Sequence, residues 1–325
     1  MKYYPYLRAK QYELKALREL CEVYSDVVSD QLIPIIEPVN KEDRALTIAV
    51  ETFIQRGLKF ALVVNPINGD FKHHTILFKL PNAEGLSLAQ DSWIPAYVVT
   101  NNAQEVMSLV EKEDYGNVML VFPKGIDMAI PAMQDLLSLQ KIRYVVCNFG
   151  NTSRSVRGYL QSSNKIVICM DDNFREQQKN ADYAGMIDEL FTENVFYYEA
   201  DQYNGYSDYT ALPSNMLEGG MLPYAIAIHM TYKRTADQIY IHHFVSDSND
   251  NNRDTAKKFA EAGLKVIDFY QGRPEMTPSA QELVERSKIA NSSKQGATSE
   301  GGYPGLGYLK KLSIKNHIEL LLNLR

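Results

Sequence analysis

A short apolar run that returns at intervals and stops each time at a polar residue or a proline constrains this chain more than anything else in it. The runs are Leu32 to Pro38, Phe60 to Pro66, Trp93 to Thr100, Val118 to Lys124, Tyr144 to Gly150 and Lys165 to Asp172. They begin roughly every 20 to 36 residues, with stretches of helical period between them. Parallel strands covered on both faces read as continuous hydrophobic runs, and each needs a crossover, usually a helix, before the next. The alternation therefore predicts an α/β fold with a parallel sheet.

The amino end supplies an earlier unit of the same kind: a Tyr-rich strand candidate over residues 3–8, then a helix with Leu14, Leu17, Cys21 and Tyr24 on one face. Further helices are predicted at 44–56, capped by Gly57, and at 101–112, 130–140, 152–161 and 182–190. After Phe60 to Pro66 comes a longer excursion with Asn68-Gly69 as a turn signal and 75–80 as a short extra strand. Beyond Asn194 the rhythm changes. VFYYEA (195–200) is a strand candidate, GYSDYTAL follows, and two alternating runs flank Lys233 to Asp237 as an antiparallel hairpin. The eighth strand must lie in this region. A helix over 254–262 stopped by Gly263, a second opened by Thr277-Pro278 and a terminal helix over 313–324 complete the pattern.

Seven or eight successive βα units favour a TIM-like (β/α)8 barrel with an added β-hairpin and C-terminal helices. No Gly-rich dinucleotide fingerprint follows the first strand, so the open doubly wound parallel sheet is the alternative. The domain reading is a barrel with rim insertions over 1–270 and a helical extension over 271–325, with 291–307 as a flexible loop rich in Ser, Gly and Thr.

Composition excludes some classes of function. The chain has 325 residues and a formal net charge of -6, which argues against affinity built on phosphate neutralisation and makes nucleic acid an unexpected partner. Cys21, Cys147 and Cys169 are widely spaced, two of them inside apolar runs, which suggests a reducing compartment and no zinc site. The amino end has no apolar signal core, and no segment approaches membrane-spanning length, so a cytoplasmic protein is expected.

In a barrel, functional groups gather at the carboxyl ends of the strands. Those ends offer Lys10, Glu37, Asn65, Thr100 to Asn102, Lys124, Asn148, and Asp171 with Asp172. Glu37, between an apolar strand and a proline, is the sharpest case: a base, a metal ligand or an ion-pair partner of Lys10. Asp171-Asp172 could supply a second carboxylate or cap a helix. Tyr206, Asp208 and Tyr209 form an aromatic-flanked acid of the kind found in pockets. Every one of these also has a structural reading, as a helix cap or a satisfied core group.

His229 with one of His242 or His243 and a carboxylate could make a zinc triad, but satisfied structural histidines are the preferred reading and no metal site is assigned. The segment Ser246 to Asp254 resembles part of a calcium loop, yet Asn252 replaces the glycine at position six and Lys258 the bidentate Glu at position twelve. It reads as a polar turn with Asp254 capping a helix.

YPYLRAKQYELKAL at the amino end, PIIEPV, and the Asp-Tyr segment of GYSDYTAL together resemble the bacterial and phage beta-protein family, particularly its uncharacterised members from bacterial genomes. Lys10, Glu13, Glu37 and Asp208 are the matching positions. The resemblance implies a TIM-barrel-like fold, no established activity, and for some members an association with mobile elements or phage defence. The carboxyl end matches the family loosely, so the last helix inherits no role from it.

Two functions follow as expectations. One is an enzyme or ligand binder for a small polar or anionic molecule, with hydrolysis or proton transfer as the reaction class. Its catalytic groups would be Glu37, Lys10, Asp171 and Asp208, its ligand-binding groups Asn65, Asn148, Tyr206 and Tyr209, and no cofactor is assigned. The other is a non-catalytic scaffold or sensor in a phage-defence or mobile-element module, docking a partner protein through the apolar terminal helix.

Overall fold

The computed structural model describes residues 1–24, 31–41, 44–72, 93–216, 222–273, 275–292 and 302–324. The described chain divides into two compact units: residues 1–172 with 194–209, and residues 173–193 with 210–325.

The first unit is a parallel eight-stranded sheet. Its strands are β1 (Tyr6–Arg8), β2 (Ile35–Glu37), β3 (Phe60–Val63), β4 (Trp93–Val98), β5 (Val118–Phe122), β6 (Ile142–Asn148) and β7 (Ile166–Met170), with β9 (Gly205–Ser207) beside β7. The last strand returns to the first. Tyr4 N donates to Tyr206 O at 2.8 Å, Tyr6 N to Asp208 O at 2.8 Å, and Tyr206 N to Lys2 O at 3.0 Å. This seam closes the sheet into the TIM-like (β/α)8 barrel that the alternation of runs predicts. The crossovers include helices α1 (Gln11–Val23), α2 (Arg44–Arg56), α3 (Ala103–Lys112), α4 (Met133–Ser138), α5 (Arg154–Gln161) and α6 (Asn194–Tyr197).

Alternate residues of each strand fill the barrel: Tyr4 and Tyr6, Ile33 and Ile35, Ala61 and Val63, Ile94, Ala96 and Val98, Met119 and Val121, Tyr144 and Val146, Ile168 and Met170. The period of two along a strand fixes which side chains point inward. Gly205 is the exception that makes the seam possible, since a Cβ there would lie 2.5 Å from the Tyr4 ring. The cysteines of β6 and β7, Cys147 and Cys169, take the outward parity and are buried. Burial pushes the Cys147 thiol up to about 11 and that of Cys169 further. They are packing residues, not reactive thiols.

The second unit is a three-stranded antiparallel sheet of β8 (Asp188–Thr192), β10 (Ala227–Thr235) and β11 (Gln238–Val245), with β11 central. Three helices go with it: α7 (Thr255–Tyr270), α8 (Pro278–Ser292) and α9 (Leu306–Leu322). The expected hairpin and C-terminal helices are all present, and they belong to this unit, so the division comes earlier in the chain than residue 270.

Several local expectations are corrected. Residues 182–190 do not form a helix; a 3-10 turn at Asn180–Gly185 leads into β8, which pairs with β11 through Leu190 and Tyr240. VFYYEA is not a strand but enters α6, and the eighth barrel strand is β9, from GYSDYTAL. Gly263 does not stop its helix. A Cβ there would sit 3.1 Å from Ser287, so the glycine lets α7 approach α8, and α7 runs on to Tyr270. Thr277 caps α8 as expected, its hydroxyl accepting from Ala280 N at 3.1 Å. The terminal helix starts at Leu306 and is no free docking face: Leu309 and Leu312 lie in the core of the second unit, and Ile314, Ile318 and Leu321 are fully buried. Residues 73–92, with the extra strand expected at 75–80 and His73-His74, lie outside the described residues, as does most of the 291–307 loop.

Candidate functional site: the carboxyl rim of the barrel

Counting by twos beyond the inward-facing core brings a second set of residues to the carboxyl rim. Tyr6 is followed by Arg8, Ile35 by Glu37, Val63 by Asn65, Val146 by Asn148, Met170 by Asp172, and Ser207 by Tyr209. Glu37, Asn65, Asn148 and Tyr209 thus share the inward parity, as expected of Glu37. Arg8 and Tyr6 were not foreseen as site residues.

Glu37 is fully buried. Its carboxylate accepts from Tyr6 Oη at 2.9 Å, from Ile67 N at 2.9 Å, and from Asn68 Nδ2 at 3.0 Å and 2.8 Å. Asn68-Gly69 is therefore not a hairpin turn. Asn68 turns its amide onto Glu37, and Gly69, at φ +61, lets the backbone come so close to Val39 that a Cβ would meet its carbonyl. Asp70 N donates to Val39 O at 2.9 Å and closes the junction of the two loops. With its oxygens so engaged, Glu37 is held in place; to take a proton from a substrate it would have to release one of these donors.

Around that carboxyl group stand Arg8 and two tyrosines. Arg8 is 6% exposed, an unusual burial for a guanidinium, and its Cζ lies 5.9 Å from the centre of the Tyr209 ring. Tyr209 in turn meets Tyr6 at a ring separation of 5.3 Å. Burial first, then the Glu37 charge and Tyr209, raises the Tyr6 hydroxyl well above its ordinary value, against the lowering pull of Arg8. Burial likewise raises Tyr209, aided by Asp172 and opposed by Arg8. Both phenols stay protonated donors at neutral pH. Thr210, the next residue, holds φ 57, a costly left-handed conformation for a β-branched side chain.

The other expected residues fall elsewhere. Asp171, Tyr206 and Asp208 have the outward parity. Asp171 accepts from Asn194 Nδ2 at 2.8 Å and from Tyr206 Oη at 2.9 Å; Asp208 accepts from Tyr3 Oη at 2.6 Å, and the Tyr3 and Tyr206 rings stack at 6.1 Å. Burial and Asp208 together raise the Tyr3 hydroxyl. Tyr3 with Asp208 and Tyr206 crosses the seam on the outside of the barrel, and Asp171 with Tyr206 ties β7 to β9 beside it. Lys10 occupies the N-cap position of α1 with a half-buried side chain. Glu13 reaches back from the first turn of that helix to accept Arg8 N at 2.7 Å.

Asn65 spends its amide on the backbone: Nδ2 donates to Val98 O at 2.9 Å and Oδ1 accepts from Val98 N at 2.8 Å, extending the β3–β4 ladder by one side chain. Asn148 Oδ1 accepts from Asn151 N at 3.0 Å and shapes the loop after β6. A Cβ on Gly125, at φ +83, would meet the Asn151 carbonyl, so the neighbouring loop packs tightly onto it.

The histidines of the second unit form a separate group. His229 and His243 are directly opposed in the β10–β11 register, with their Nδ1 atoms 2.6 Å apart. His243 Nε2 lies 3.4 Å from Glu189, which also pairs with Arg175 at 3.2 Å. Where His243 donates to Glu189 from Nε2, its Nδ1 must accept, and His229 Nδ1 carries the shared proton. Burial pushes His229 down to about 3 and His243 to about 4. No cluster of three or more metal-ligating side chains suited to an ion occurs among the described residues. In the calcium-like segment Lys258 supplies the cation, donating to Asn251 O, while Asp254 stands at the N-cap of α7 without a side-chain capping bond.

No helix among the described residues is long and apolar enough to cross a membrane. No protein-family model matches the chain, and no curated protein matches it.

Proposed function

We propose that this barrel binds, and acts on, a small polar anion at its carboxyl rim. The observation that carries the reading is Arg8: a buried guanidinium at the inward parity of β1, set against the face of Tyr209. Arg presents a planar fork suited to carboxylate or phosphate, and a protein-lined mouth strengthens that attraction relative to water. Tyr209 adds a protonated phenol, while Tyr6 spends its proton on Glu37, which fixes the loop after β3 in place. Asp172, exposed at the inward parity of β7, is the carboxylate best placed to move a proton in hydrolysis or a proton-transfer reaction, a role that the engaged oxygens of Glu37 suit less well.

The test is calorimetric titration with inorganic phosphate, pyrophosphate and malonate. At least one should bind saturably, and Arg8→Gln should weaken it at least tenfold, while Arg8→Lys retains part of the affinity. Binding by none of the three, or equal binding by Arg8→Gln, defeats the reading. Asp172→Asn should preserve affinity and lower any turnover found with a phosphate ester.

A further inference from the structure

The second unit contains a cavity of about 580 Å³, within the range that holds small organic ligands. Its walls come from the end of β10, the end of α7, the start of α8 and the last turns of α9. One side is apolar, with Met276, Leu320 and Leu324; the other carries Lys233, Arg273 and Glu275.

Most polar groups in the walls are already used. Thr277 Oγ1 donates to Asn316 Oδ1 at 2.7 Å, Asn316 Nδ2 donates to Thr231 O at 2.8 Å, and Tyr232 Oη donates to Asp188. Tyr270 is different. It is 6% exposed, lines the cavity, and its hydroxyl has no hydrogen-bond partner among the described residues. A buried hydroxyl is ordinarily satisfied; this one is closed off from the open cavity by its neighbours, so a ligand acceptor would meet it where the wall gives slightly. Burial raises the Tyr270 hydroxyl, and Arg273 is the strongest opposing charge, so the group is a donor within electrostatic range of a guanidinium. Arg273 is itself held in place, its Cζ 4.0 Å from the Phe269 ring centre and 4.8 Å from that of Tyr232.

We propose that this cavity is a binding site for a small amphiphilic carboxylate, whose head accepts from Tyr270 Oη beside Arg273 and whose apolar body lies against Met276, Leu320 and Leu324. Two cations against one carboxylate make the polar side net positive. An uncharged ligand of the same shape would gain the apolar contacts but lose the charge-assisted bond.

Octanoate and 3-phenylpropionate are the probes, titrated into the full chain and followed by calorimetry and by the methyl resonance of Met276. Saturable binding that shifts Met276 is expected, with octanol at least tenfold weaker than octanoate. Tyr270→Phe and Arg273→Gln should each lower octanoate affinity about tenfold. Glu275→Gln should raise it about threefold, a gain that misfolding cannot imitate. Arg8→Gln, in the barrel, should leave it unchanged, which separates this site from the one at the rim. No saturable binding of either carboxylate, equal affinity for octanol, or undiminished binding by Tyr270→Phe would overturn the proposal.

Discussion

The phenol of Tyr6 donates to the carboxylate of Glu37 across 2.9 Å, tying the first barrel strand to the second at the rim where both turn into loops. The bond makes Glu37 part of the framework. Glu37→Ala would leave Tyr6 Oη, Ile67 N and Asn68 Nδ2 without their acceptor, and Glu37→Gln would set an amide donor against other donors. Losses of about 2–4 kcal/mol for Ala and about 1–3 kcal/mol for Gln are expected in urea unfolding. A Gln variant as stable as the wild type would show that the carboxylate is not held in this way.

Asn65 makes an equally specific claim on β4. Asn65→Ala removes both partners of the Val98 peptide group, and Asn65→Asp replaces a donor with a second acceptor facing Val98 O. Each should destabilise by about 1–3 kcal/mol. Hydrogen exchange at Val98 N should quicken in Asn65→Ala; unchanged protection there would refute the ladder extension.

Gly205→Ala tests the seam. The new methyl would meet the Tyr4 ring at 2.5 Å, and Lys2 O lies 3.2 Å from the same point, so the ring must move within a packed interior. A loss of about 1–3 kcal/mol is expected. Gly57→Ala, where a Cβ meets nothing within 4 Å but φ is +69, should cost less, through the backbone alone.

The His229–His243 pair sets a pH dependence on the second unit. Both imidazoles have folded values below the ordinary 6.5, at about 3 and about 4. The unfolded chain therefore binds more protons, and stability rises with pH between those values and about 6.5. The contribution is complete above about 6.5 and declines as pH falls toward 3, by at most about 1.4 kcal/mol per pH unit for each proton taken up. Glu189, Arg175 and Tyr183 face the pair, and His242, next to His243 on β11, meets Asp188 of β8. His229→Gln should flatten the slope of melting temperature against pH across this window; an unaltered slope would exclude the pair as its source.

The barrel was legible because its strands are apolar on both faces and stop at marked corners. What the sequence hid was parity at the rim. Arg8 reads as one more basic residue in YLRAK until Tyr6 is known to point inward. Asp171 and Asp208 look equivalent to Glu37 until the strand count puts them on the other face. Gly263 and Asn68-Gly69 carry ordinary stop and turn signals, and long-range neighbours, Ser287 for one and Glu37 with Val39 for the other, give them their actual roles. The exchange between β8 and α6 has the same cause. DELFT is short and charged enough to pass for a helix end, and only its pairing with β11 makes it a strand.

The seam between β1 and β9 also bears on the order of assembly. Tyr3 finds Asp208 across 205 residues of chain, and the path between them leaves the barrel after residue 172 and returns at 194. On a ribosome, the first seven strands would emerge as an open sheet with two unpaired edges and wait for β9. Such edges invite pairing with other chains, and contacts so distant in sequence form slowly. A chain ending near residue 172 would keep those edges for good, so cutting the gene there should yield aggregate, not a smaller barrel.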